Sequence, residues 1–170
     1  MNNLSFQFKP LSISDLPLMA DWLNRPHLQK WWRSGKVTAD SIRKKYLPRI
    51  AGDDNARPFI AWMKETPVGY IQYYDASDGD PNWWLDQPGP GVLGIDMFVG
   101  DETKLNKGIG TAMISQFCEF LFDGPDVTEI RIDPSPENLR AIRCYEKAGF
   151  QRVGNITTPD GPALMMILKR

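Results

Sequence analysis

The sequence predicts a mixed α/β fold with a partly parallel sheet. Three observations carry this expectation. Short apolar stretches of period two alternate with longer stretches of period near 3.6 along the whole chain. In the second half, "GVLGIDMFVG", "GIGTAMISQFCEFLF" and "VTEIRID" read as strand, helix, strand, and such a crossover joins parallel neighbours. The C-terminal "FQRVGNITT", "PDG" and "PALMMILK" read as a closing hairpin, which adds an antiparallel pair.

The elements follow in order. Leu4, Phe6 and Phe8 alternate as a first strand. "SISDLPLMADWLN" is a helix with Ser12 or Ser14 as cap and Leu16, Met19 and Leu23 on its apolar face. "RPHLQKWWRSGK" reads as a Trp-rich loop, and a second helix starts near Thr38. "RPFIAWMKE" and "VGYIQYYD" are strands joined by a turn around Thr66-Pro67. Residues 76–91, rich in Pro, Gly and Asp, form a loop long enough to serve a function. The central strand "GVLGIDMFVG" and the loop "DETKLNK" precede a helix with Ile109, Met113, Phe117 and Phe120 on one side. The strand "VTEIRID" then leads to the helix "PENLRAIRCYEKA", with Ser135 as N-cap, Pro136 at the first helical position and Gly149 as the stop. The order β-α-α-β-β-β-α-β-α-β-β fits one domain over residues 1–170, without internal repeat or splitting linker.

Composition narrows the function classes. Lys+Arg is 20 and Asp+Glu is 21, a net charge of −1, so neither nucleic acid nor an anionic membrane is expected as the main partner. The absence of a long apolar run or signal-like start suggests a cytoplasmic protein. Cys118, Cys144 and the single His27 make a poor metal set, and no metal is expected; the thiols read as core residues. Charge is uneven, however. From Glu65 to Thr103 there are eight acids and no Lys or Arg, which leaves the rest of the chain at +7. That segment also carries Trp83 and Trp84. Acids with aromatics suit a cationic ligand, and they equally suit a solvated acidic loop.

"NKGIGT" lies between a strand and a helix. Gly108 and Gly110 permit close backbone approach, and the first amides of the next helix point outward with the helix dipole behind them. Such a turn suits a phosphate or pyrophosphate, with Lys104 and Lys107 beside it; it also serves as a plain helix start. It is not a P-loop, since no Gly-Lys-Ser/Thr follows at the required spacing.

Together, "GIDMFV", "KGIGT" and "DPSPENLRAIRCYEKAGF" resemble the GNAT superfamily of acyl-CoA-dependent N-acetyltransferases. More narrowly, "WLNRPH", "WW", "YLP", "GY", the long "DPSP" string and "TTPDGPA" are similar to the aminoglycoside 6′-N-acetyltransferases across nearly the whole chain. The resemblance implies a mostly antiparallel sheet splayed at its centre, with flanking helices and acetyl-CoA as co-substrate. It implies that Lys104 and the turn Lys107, Gly108, Ile109, Gly110 and Thr111 hold the pyrophosphate. The backbone of Met97, Phe98 and Val99 would pair with the pantetheine arm like an added strand. Asn138 would bond that arm and Tyr145 would reach the sulfur. One departure is Leu105, where the superfamily often has Gln or Arg, so the phosphate grip rests on backbone amides and lysines.

The chemistry needs a proton acceptor. An alkylamine attacks a thioester only when neutral, and at a pKa of ~10.4 about one molecule in a few thousand is neutral at pH 7. This costs about 4–5 kcal/mol unless the site removes the proton. Asp96 on the central strand is the candidate acceptor, and the resemblance points to the same position; a structural role bonding a neighbouring loop is the other reading. Asp133 would bind a substrate ammonium or cap the turn "DPSP". The resemblance adds Trp83, Trp84 and Asp160 on the substrate side, with Trp83 facing sugar rings or anchoring its loop. Trp22, Trp31 and Trp32 read as packing residues, although the Trp31-Trp32 loop could close one side of a cleft. Tyr145 is the candidate general acid for the leaving thiolate, and the amide near Phe98 would stabilise the oxyanion. A covalent route through Cys144 is not expected, since it points about 100° from Tyr145 on a helix.

The expected reaction is direct acetyl transfer to the 6′-amine of an aminoglycoside by a monomer or weak homodimer. The alternatives are a polyamine, a siderophore hydroxylamine or a protein amine as acceptor, and a binding module without turnover.

Overall fold

The strands are hydrogen-bonded in the order β1-β2-β3-β4-β5-β7-β6, with β1 Gln7–Pro10, β2 Arg57–Met63, β3 Thr66–Asp75, β4 Val92–Val99, β5 Glu129–Ile132, β6 Gln151–Thr158 and β7 Gly161–Lys169. The helices are α1 Leu16–Leu23, α2 Pro26–Trp31, α3 Ala39–Ala51, α4 Ile109–Phe122 and α5 Leu139–Lys147. These come from a computed structural model that describes residues 4–32 and 35–170. The β4–β5 pair is parallel, as the helical crossover α4 requires, whereas β1–β2, β5–β7 and β6–β7 are antiparallel. The mixed sheet expected from the sequence is therefore present.

The chain forms two compact units. The first takes the described residues up to Gln72 together with Met97–Ile109. Its core joins α1 and α3 to Ile60 of β2, Tyr70 of β3 and Phe98 of β4. Met19, Leu23, Ile42 and Tyr46, at helical spacing, supply the apolar faces. Phe98 stacks on Tyr70 and meets Trp22 and Trp32 edge-on, with ring centroids 4.9–6.0 Å apart. Trp22 and Trp32 are thus packing residues. Thr38 caps α3 by accepting from Ser41 N at 3.1 Å, and Gly52 in the left-handed region ends it.

The second unit takes Tyr73–Asp96 and Gly110–Arg170. Ala76, Trp84, Val92, Ile156, Ala163 and Met165 form a core there, with Tyr74 and Trp83 packed against it. The β6–β7 ladder carries a register shift between Arg152 and Gly154, which leaves Val153 as an extra residue.

Four local expectations need correction. Residues 26–31 of the expected Trp-rich loop are helix α2, begun by Pro26 at its first position; 33–34 lie outside the described residues. This adds a helix to the expected order. The turn between β2 and β3 falls at Lys64-Glu65, with Lys64 at φ 54°, because Thr66 and Pro67 already belong to β3. Phe120 is 49% exposed, while Ile109, Met113 and Phe117 are buried as expected. Finally, α5 starts three residues later than its Ser-Pro signal. Asn138 is the cap, its Oδ1 accepting from Ala141 N at 3.2 Å, and Ser135 instead closes the preceding turn through its carbonyl and Asn138 N at 2.9 Å.

Candidate active site

The β4–β5 ladder ends just short of two carboxylates. β4 and β5 pair at Val92↔Glu129, Leu93↔Ile130 and Gly94↔Arg131. Asp96 and Asp133 each follow the last pair by two residues, beyond the end of the ladder. The sequence offered both acids but not this juxtaposition. The charge of Asp96 and, more weakly, that of Asp160 on the β6–β7 turn both act on Asp133. Burial is the larger cause, and together they push the Asp133 carboxyl up to about 7. A hydrogen bond from Trp83 Nε1 to Asp133 Oδ2, 2.9 Å long, works in the opposite direction.

That bond ties Trp83 on its loop to Asp133, 50 positions away in the sequence. Asp160 is exposed at the tip of the closing hairpin, its amide donating to Thr158 Oγ1 at 3.2 Å.

Two phenols share this environment. Tyr145 on α5 is 7% exposed, and burial, followed by the proximity of Cys144, Asp96 and Asp133, pushes its phenol well above the ordinary 10. It therefore stays protonated and serves as a hydrogen-bond donor across the neutral pH range. Tyr74 on β3 was not singled out from the sequence. Burial and then the charges of Asp96 and Asp133 raise its phenol as well. Its position depends on Gly94, because a Cβ there would lie 2.3 Å from two atoms of the Tyr74 ring. Gly94 and Asp96 project to the same face of β4, so the glycine admits a ring beside the acid. A mid-strand glycine two residues before an acid was the available signal.

Cys144 accepts a weak hydrogen bond from Thr111 Oγ1 at 3.4 Å, and burial raises its thiol. A thiol held protonated in this way is a poor nucleophile. Cys118 is buried, and its thiol is likewise raised, mainly by burial. Among the described residues no group of three or more His, Cys, Asp or Glu is arranged to hold a metal ion, and no helix is long and apolar enough to cross a membrane.

The residues expected to hold acetyl-CoA fall in both units. In the first, Phe98 has its side chain in the core and Met97 is half-buried. The Val99 carbonyl lies 3.0 Å from His27 Nε2. A carbonyl only accepts, so Nε2 carries the proton, and the buried Nδ1 has no hydrogen-bond partner among the described residues. Lys104 pairs with Asp101 at 2.8 Å, both side chains remaining partly exposed. That ion pair, with help from Thr103, holds the Asp101 carboxyl well below the usual range. Lys107 and Gly108 are exposed. Gly108 has φ +77° with nothing within 4 Å of an added Cβ, so its requirement is conformational and the space above it is open. Ile109 is buried and begins α4. In the second unit, Gly110 and Thr111 continue that first turn, and the cap bond of Asn138 uses its carbonyl oxygen, which leaves the chemistry of its NH2 donor distinct.

A strand carrying an acid, a glycine turn opening a helix, and a tyrosine-bearing helix after a parallel strand define an acyl-CoA-dependent acetyltransferase. The chain belongs to the GNAT acetyltransferase family, whose domain model matches residues 13–158. The type 1 aminoglycoside N(6′)-acetyltransferase of Klebsiella pneumoniae is 42% identical over 171 residues, spanning 99% of this chain and 85% of that protein. The solved structure of AAC(6′)-Ib in complex with paromomycin and acetyl-CoA is similar at a TM-score of 0.91 and 43% identity, covering 98% of this chain and 94% of that one. AAC(6′)-Ib with coenzyme A and kanamycin gives a TM-score of 0.90 at 43% identity over 98% and 95% of the two chains.

Proposed function

We propose that the protein transfers the acetyl group of acetyl-CoA to the 6′-amine of an aminoglycoside by direct attack. The observation that carries this reading is the placement of Asp96 and Asp133 just beyond the end of the β4–β5 ladder, close enough for the charges of Asp96 and Asp160 to act on Asp133. Such a cluster attracts a polycationic amine, and the similarity to aminoglycoside acetyltransferases over nearly the whole chain selects the kind of amine.

The pair also addresses the proton problem. An ordinary carboxylate near 3.8 attracts an ammonium but is a weak base toward it. Burial and the charge of Asp96 raise the Asp133 carboxyl to about 7, and a base is most effective when its pKa lies near the working pH, so the pair acting as a unit can take a proton there. In this reading Asp133 binds ammonium and Asp96 takes the proton of the reacting amine. The freed lone pair forms the new N–C bond to the acetyl carbon and the C–S bond breaks. Tyr145, held neutral, gives its proton to the departing sulfur and regains one from the second N–H of the newly acylated nitrogen, leaving the amide and free thiol. Met97–Val99 and the turn Lys107–Thr111 carry the co-substrate, with Lys107 as the exposed cation of that turn.

Thiol release from acetyl-CoA, measured against kanamycin, spermidine, a hydroxylamine and a lysine peptide, tests the assignment, with mass spectrometry locating the new acetyl group. Turnover confined to the aminoglycoside and acetylation at its 6′-nitrogen is expected. Faster release with any other amine, or tight coenzyme A binding without release, would overturn it.

A further inference from the structure

One ion pair of the second unit has no part in the chemistry above. Arg131 on β5 is 4% exposed, yet it grips the surface carboxylate of Asp86, whose side chain is 61% exposed. Its Nη1 and Nη2 donate to the two oxygens of Asp86 at 2.5 and 3.0 Å, and its Nε donates to Glu129 at 2.7 Å. The guanidinium also lies 5.6 Å from the Trp84 ring centroid. A two-pronged arginine–carboxylate bond fixes geometry as well as charge.

Sequence position gives the pair its meaning. Asp86 follows Trp83 by three residues on the loop 76–91, and Arg131 precedes Asp133 by two on the strand. Loop and strand are thus joined by two rungs, Trp83–Asp133 and Asp86–Arg131. A loop of this length needs such ties to hold one conformation.

We infer that the Asp86–Arg131 pair is a positioning latch that keeps Trp83 Nε1 on Asp133 and thereby sets how tightly the acid pair holds the amine. The kinetic consequence rests on the proposed aminoglycoside reaction; the structural one does not. Glu129 keeps Arg131 paired when Asp86 is neutralised, so Asp86→Asn loosens the Asp86 side of the loop, which Trp84 still holds in the core, without leaving a buried charge alone.

Two measurements test this. The first follows the Trp83 indole N–H by NMR, assigned by its loss in Trp83→Phe, through a pH titration without ligand. The groups facing Asp133 in that titration are Asp96 from β4, Asp160 from the hairpin turn, Tyr74 from β3, Tyr145 from α5 and Trp83 itself. In the wild type the resonance moves with a midpoint near 7, as Asp133 does; in Asp86→Asn its pH response shrinks at least threefold. The second is steady-state kinetics with kanamycin. Asp86→Asn and Trp83→Phe each raise its KM about tenfold, leave the KM for acetyl-CoA within twofold, and do not add in the double variant, as expected of residues acting in series. An unchanged indole titration in Asp86→Asn, or additive effects on KM, would refute the latch. Absence of turnover by the wild type would sink the aminoglycoside reading, and the indole titration would still decide the latch.

Discussion

Asp133→Asn should make the ligand-free protein more stable while disabling it. Raising a carboxyl from its ordinary 3.8 to about 7 means that the folded protein holds a proton which the unfolded chain has released across that range. Native stability from this group is therefore intact below pH 4 and is lost as the pH climbs toward and past 7. The gap corresponds to about 4 kcal/mol. Asp96 shares the strain of the pair, so removing one charge recovers about 2–4 kcal/mol at pH 8 and little at pH 4. Asparagine preserves the shape and an oxygen that can accept from Trp83 Nε1. Urea unfolding of wild type and Asp133→Asn at several values between pH 4 and 8 measures the difference. The two curves should converge at the acid end and separate in favour of the variant at the alkaline end. kcat/KM with kanamycin should fall by about thirtyfold or more, the loss of about 2 kcal/mol or more expected when one partner of a buried charge pair with the bound ammonium is neutralised. A variant that is less stable by the same amount at every pH would show that Asp133 carries no buried-charge penalty, and the account of the acid pair would fall with it.

Tyr145→Phe should retain the fold and lose about 10²–10³ in kcat, read by thiol release, with the KM for the amine little changed. Gly94→Ala drives a methyl into the Tyr74 ring, and such overpacking should lower unfolding free energy by about 1–3 kcal/mol in denaturant titrations. Gly108→Ala, forced into the left-handed region with open space around it, should cost about 1–2 kcal/mol and raise the KM for acetyl-CoA without affecting the amine. Asn138→Ala should cost about 1 kcal/mol through the lost cap, whereas Asn138→Asp keeps the cap. A rise in the acetyl-CoA KM specific to Asn138→Asp would isolate a contact made by the amide NH2.

Much of the architecture was legible because local signals and periodicity agreed. The α3 cap at Thr38, the apolar face of α4 up to Phe117 and the closing hairpin all follow from spacing alone. Where two local signals competed, sequence reasoning chose the louder one. Ser135-Pro136 is a strong helix start, but Asn138 sits where its side chain reaches Ala141 N, and the helix begins there. The two tryptophans at 31 and 32 suggested a loop, while Pro26 at a helical first position was the quieter and better guide to α2. Asp96, Asp133 and Tyr145 were found as individual residues. Tyr74, Asp86 and Arg131 were not, because their roles exist only through partners distant in the sequence, 45 residues apart for Asp86 and Arg131. Lys104 shows the opposite limit: its charge is visible in the sequence, but its pairing with Asp101 is not.

The two terminal strands of the hydrogen-bonding order have a consequence for colloidal behaviour. A strand with one unpaired edge is a template on which another molecule can crystallise its own backbone. β1 is four residues long and finishes at Pro10, which has no N–H to offer. β6 is longer, but the extra residue at Val153 interrupts its ladder and bends it beside the Arg152–Glu146 ion pair. Straightening that bend by deleting Val153 would leave a seven-residue edge with an unbroken repeat, and with it a route from folded enzyme to fibrous aggregate.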